Sequence, residues 1–141
     1  FSKWQNLVSC ASWSQWDIFE ARRPAAELED GDTGYWAFHS CNFKEGKGTS
    51  DLRENDVQWN NFLDGIGHEG GVWRWWAGSG SDTQSTTNYY VNISFSTMQE
   101  FGEYRDARMN SMMSGSAPEQ IADCQAPRVY SANNIKAIAA N

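Results

Sequence analysis

The sequence lacks any run of about 18 apolar residues, so none of it reads as a membrane-spanning helix. Basic residues are scarce. Eleven Lys and Arg stand against 18 Asp and Glu, for a formal net charge of −7. That balance argues against a nucleic-acid backbone or an anionic membrane as partner, because both reward clustered cations. Only two histidines occur, and the three cysteines (Cys10, Cys41, Cys124) are far apart with no C-x-x-C spacing. No metal site is therefore expected. An odd count of cysteines permits at most one internal disulfide. The readings are three buried thiols or a Cys10–Cys124 bridge. No basic segment leads into an apolar stretch, so no leader is legible. The chain opens on Phe1. That reads as a processed form or a fragment, and it leaves cytoplasmic and periplasmic or secreted locations equally open.

Cofactor signals are missing too. Gly78-Ser79-Gly80 is not followed by Lys-Ser/Thr and opens no helix, so it is a loop and not a phosphate cradle. His68-Glu69 begins like H-E-x-x-H, but position 72 is Val72 and the metalloprotease pattern fails. No serine sits in a G-x-S-x-G context. No cofactor is expected.

What the chain does have is aromatic mass. Eight Trp, seven Phe and five Tyr make up 14% of 141 residues, enough to build one core. Residues 1–33 read as a separate N-terminal segment. Trp13, Trp16 and Phe19 fit a helical stripe or a strand equally well, and the acidic stretch from Glu27 to Asp32 marks a loop. From residue 34 onward the patterns sharpen. Tyr35 to Phe43 is an aromatic strand. Thr49-Ser50-Asp51 opens a helix, with Leu52, Trp59, Phe62, Leu63 and Ile66 on one face and Asn55 on the other, and Gly65 and Gly67 end it. Val72 to Ala77 is a second strand. Tyr89, Val91, Ile93 and Phe95 alternate with Tyr90, Asn92 and Ser94 as a third. Ser96 or Thr97 then caps a second helix with Met98, Phe101, Tyr104 or Arg105, Arg108 and Met112 on its inner stripe. Pro127 interrupts a last extended segment and sends it to a sheet edge.

The order strand, helix, strand, strand, helix, strand predicts a soluble α+β domain over 34–141. It would be a ferredoxin-like β-α-β-β-α-β antiparallel sheet with both helices on one face. Its other face would carry aromatics over several hundred Å2, more than monomers usually leave bare. A second sheet or the N-terminal segment must cover it. Gln5 to Cys10 also resembles Glu119 to Cys124, as if residues 1 to about 22 closed an earlier repeat. This order, over about residues 34–132, resembles the dimeric α+β barrel superfamily, in which two such sheets close a barrel. The resemblance implies a homodimer or a tandem repeat, and it carries no catalytic residue by position. The superfamily holds enzymes and binding proteins alike.

Candidate chemistry follows from the residues. The first expectation is a small apolar or aromatic ligand held in a cavity between two sheets by Trp36, Phe38, Trp73, Arg74, Trp75, Trp76, Tyr90 and Asn92. Arg74 would pair a carboxylate. The second is a cofactor-independent monooxygenase or isomerase, with His39 as base and Asn92 converging on the same cavity. The third is a carbohydrate-binding module presenting Trp13, Trp16 and Trp73 to solvent. Asn92-Ile93-Ser94 fits a glycosylation acceptor but lies within a strand. The four methionines are expected to pack on the second helix.

Overall fold

Alternation in Tyr89–Phe95 sets the layers. Its odd residues are apolar and its even residues mostly polar or amphipathic, so the strand is two-faced by construction. In the computed structural model, residues 15–25, 29, 31–78 and 87–134 are described. The elements are β1 (Trp16–Arg22), β2 (Thr33–Phe43), α1 (Thr49–Gly65), β3 (Val72–Ala77), β4 (Tyr89–Phe95), α2 (Met98–Ser114), β5 (Ala122–Cys124) and β6 (Arg128–Asn133). The fold is α+β: a six-stranded antiparallel sheet with two helices. Strand order is β1-β3-β4-β2-β5, and β6 also pairs with β2. β5 and β6 thus share one edge of β2, the first along Cys41 to Phe43 and the second along Thr33 to Phe38.

Both helices pack on the same sheet face. Leu63 of α1 and Phe101 and Tyr104 of α2 close over Ala37, Val72, Ile93 and Phe95. A second cluster joins Leu52 of α1 to Cys41, Tyr89, Ile121 and Ala122. Each large side chain buried there contributes about 1.5–3 kcal/mol. α1 starts where the Gly48 backbone N–H donates to Asp51 Oδ2 at 2.8 Å. Asp51 therefore reaches back from inside the first turn instead of capping ahead of it. α2 is capped by Thr97, and Glu100 reaches back one residue beyond the cap. Thr97 Oγ1 accepts from the Glu100 N–H at 3.1 Å, and Glu100 Oε2 accepts from the Ser96 N–H at 2.7 Å. Gly115, at φ 73°, turns the chain out of α2 in the left-handed region.

Three expectations need correction, and β1 adds part of the N-terminal segment to the sheet: Trp16–Arg22 is a strand antiparallel to β3. Arg22 fastens it, donating to the His68 carbonyl and to Asp64 Oδ1 at 2.7 Å each. Asn55 is buried, not outward, and its Nδ2 donates to the Glu119 carbonyl at 2.7 Å. Met98, Met109, Met112 and Met113 are all exposed, because Phe101 and Tyr104 take the core stripe of α2. Finally, the bridge joins Cys41 to Cys124, which stand opposite each other on β2 and β5 with Cα atoms 4.1 Å apart. Cys10 lies outside the described residues, as do Trp13 and the Gln5 to Cys10 segment.

Candidate functional site

Each face of the sheet carries one recess. Register decides which residues share which. Phe38 stands opposite Asn92, His39 opposite Val91, and Trp73 opposite Asn92. His39 and Asn92 therefore lie on opposite faces, and the convergence expected of a base and its partner does not occur. The ligand set divides the same way. Trp36, Phe38, Trp73, Trp75, Tyr90 and Asn92 share the face away from the helices, while Arg74, Trp76 and His39 lie under them.

On the helix-free face the rings form a connected ladder. Trp36 packs on Trp73 with ring centres 6.0 Å apart and on Phe38 at 6.1 Å. Phe38 meets Trp75 at 5.5 Å and Tyr130 at 5.8 Å, both edge-on. Trp16 of β1 meets Tyr90 edge-on at 5.3 Å. Offset and edge-on pairs of this kind add about 0.5–1.5 kcal/mol each beyond area burial. Beside this ladder a cleft of about 610 Å3 opens, with Trp36, Phe38, Tyr90, Tyr130, Ser40 and Arg128 among its walls.

Asn92 sits between Phe38 and Trp73 with no exposed surface. Neither its Oδ1 nor its Nδ2 has a hydrogen-bond partner among the described residues, and buried Trp75 Nε1 has none either. An amide buried this way costs about 1–3 kcal/mol. Burial also removes Asn92 as a glycan acceptor.

The second recess, about 90 Å3, lies between the sheet and the helices, with His39, Arg74, Asn55, Tyr104 and Arg108 among its lining residues. Arg74 is 8% exposed, forms an ion pair with Asp56 of α1, and stands 6.0 Å from the Tyr89 ring centre. Arg108 of α2 lies 5.8 Å over the Trp59 ring. His39 Nδ1 is 3.0 Å from the Gln125 carbonyl oxygen. A carbonyl only accepts, so Nδ1 carries the proton and Nε2 keeps a lone pair. Burial pushes the His39 pKa down to about 4. The Gln125 bond opposes that shift, while Arg108, Arg105 and Arg74 reinforce it. Trp76 belongs to neither recess. It stacks on Tyr89 at 5.0 Å and Phe43 at 6.2 Å as core.

His68 is also buried, with Nδ1 2.9 Å from Glu100 Oε1 and its ring against Phe95. Burial lowers its pKa and the Glu100 carboxylate pulls the other way. Its role is to tie the turn after α1 to α2.

Sequence reasoning read Tyr104 and Arg108 only as the inner stripe of α2 and Tyr130 only as part of the last extended segment, and it missed Asp56. Asn55 had a signal: the run Leu52, Asn55, Trp59, Leu63 is the helical stripe itself. Among the described residues, no group of three or more His, Cys, Asp or Glu is placed to hold a metal ion, and no helix is long and apolar enough to cross a membrane. In comparisons with known proteins, no family model, no curated protein and no solved structure matches this chain.

Proposed function

We propose that this chain is a ferredoxin-like barrel domain that binds a small, planar, apolar or aromatic molecule on the helix-free face of its sheet. A second sheet of the same kind would form the roof. The observation that carries this reading is the cleft of about 610 Å3 walled by Trp36, Phe38, Tyr90 and Tyr130; Asn92, a fully buried amide without partners among the described residues, lies on the same sheet face. Apolar walls with a few convergent polar groups are the usual form of a small-molecule site.

Strand order supports the ferredoxin-like part. Setting β1 aside, the order β3-β4-β2-β5/β6, with helices after β2 and β4, is the order of that unit. β1 supports the two-sheet part. It occupies the outer edge of β3, where the last strand of a second unit would pair. The likeness of Gln5 to Cys10 with Glu119 to Cys124 places Trp16–Phe19 in register with residues 130–133 of β6. The Cys41–Cys124 bridge fits an oxidising compartment. The catalytic alternative loses its support with the separation of His39 from Asn92. The carbohydrate alternative is weakened because Trp16 and Trp73 are half-buried against other rings.

Calorimetric titration with bicyclic aromatics such as naphthalene-2-carboxamide and quinoline tests the binding. Trp36→Ala is expected to abolish it and His39→Ala to preserve it. Equal loss in both variants, or no binding by the unaltered chain, refutes it. Particle mass in solution then tells whether two copies assemble.

A further inference from the structure

We infer that the recess between the sheet and the helices is a second site, for a small monocarboxylate held by Arg74 and Arg108. Charge is the first reason. The protein is acidic overall, yet two guanidinium groups line this recess and only one carboxylate, Asp56, pairs with either. Arg108 has no ion pair among the described residues, and its only recorded ring contact is the Trp59 face. The second reason is an unanswered donor. Arg74 Nε is buried and has no acceptor among the described residues, although a guanidinium is built to grip a carboxylate with two parallel bonds. A buried cation left short of acceptors is costly, and a bound anion removes that cost.

His39 reports the same field. After burial, three arginines (Arg108, Arg105 and Arg74) hold its ring neutral, against a partial offset from the Gln125 carbonyl. No carboxylate is among the groups acting on it, none is among the residues lining the recess, and Asp56 beside it is already committed to Arg74.

Size and lining select the class of anion. The 90 Å3 holds roughly three waters, so an acetate or a propionate fits and a drug-sized acid does not. Leu63, Val91 and Ile93 give an alkyl tail an apolar wall. A dianion such as phosphate would need two excess cations, and the recess offers one. This site shares no residue with the aromatic face, so either proposal can fail alone.

The test is a titration with sodium acetate and sodium propionate at constant ionic strength, followed by NMR of the arginine Nε–H groups and the His39 ring. Saturable shifts at Arg74, Arg108 and His39 are expected. Arg108→Gln should weaken binding about tenfold, the loss of one charge-assisted pair. Arg53→Gln, an exposed change on α1, should leave binding within about a factor of two. Shifts that stay linear, or that chloride or phosphate reproduce at the same concentrations, overturn the proposal, as does equal binding by both variants. Because the unaltered chain is titrated first, a variant that fails to fold does not protect the idea.

Discussion

Replacing His39 with glutamine should flatten the acid limb of the stability profile. The folded chain holds this imidazole neutral, with its pKa near 4 against 6.5 for an ordinary histidine. Between those values the unfolded chain binds a proton that the folded chain refuses. Stability therefore rises with pH across this window and falls as the solution is acidified through it. The two values give a contribution of about 2 kcal/mol lost on going from pH 8 to pH 5, and about 3 kcal/mol by pH 4. Glutamine cannot titrate, and its amide can still donate to the Gln125 carbonyl. Urea unfolding at intervals from pH 8 to pH 4.5 measures both proteins. The informative quantity is the difference between their slopes, since His68 and the carboxylates act in both. If the two profiles stay parallel through this window, His39 is not held neutral by its surroundings and the account of the inner recess fails.

Three further outcomes follow from the same geometry. The Cys41–Cys124 bridge closes a separation of 83 residues, for which chain entropy gives a contribution of about 4.5 kcal/mol. Paired Cys41→Ser and Cys124→Ser changes should lower the urea midpoint to match, and a loss under about 1 kcal/mol would show that the reduced chain is already constrained. Asn92→Leu removes an unpartnered amide and keeps its volume, so stability should rise by about 1–3 kcal/mol while aromatic-ligand affinity falls. A drop in melting temperature would instead reveal partners for that amide. Arg22→Met should release β1 selectively, seen as faster amide exchange over Trp16 to Ala21 with β4 unchanged. Uniform acceleration across the sheet would contradict a local role for Arg22.

The parts of this fold that could be read from the sequence were those with a strong two-sided pattern. Val72–Ala77 and Tyr89–Phe95 match their expected limits because apolar or aromatic runs there are bounded by Gly, Ser and Thr and, in the second, residue type alternates. β1 resisted because Ile18 and Phe19, neighbours on opposite faces, are both exposed, so no period survives. α2 misled because its methionines gather on one face, next to the two buried rings that decide the stripe. The pairing of Cys124 with Cys41 depends on how β5 aligns with β2, a long-range fact no local spacing encodes. The same holds for the site. That His39 and Asn92 face apart follows from a one-residue offset between β2 and β4, and shifting such a register by one would exchange every side chain between faces. The aromatic face was legible as a set of residue types, but the orphaned amide at its centre was not.

One feature of the sheet edge reaches further than its size suggests. β2's outer neighbour is broken between Cys124 and Arg128, with Pro127 in the gap, and the Gln125 carbonyl that meets His39 sits inside that break. Were the two short strands fused into one, that oxygen would be drawn into backbone pairing. The imidazole would then be free to move its hydrogen to the other nitrogen. A lining group would switch from taking a proton to offering one with no change to the histidine itself, so the interruption acts as a tautomer lock.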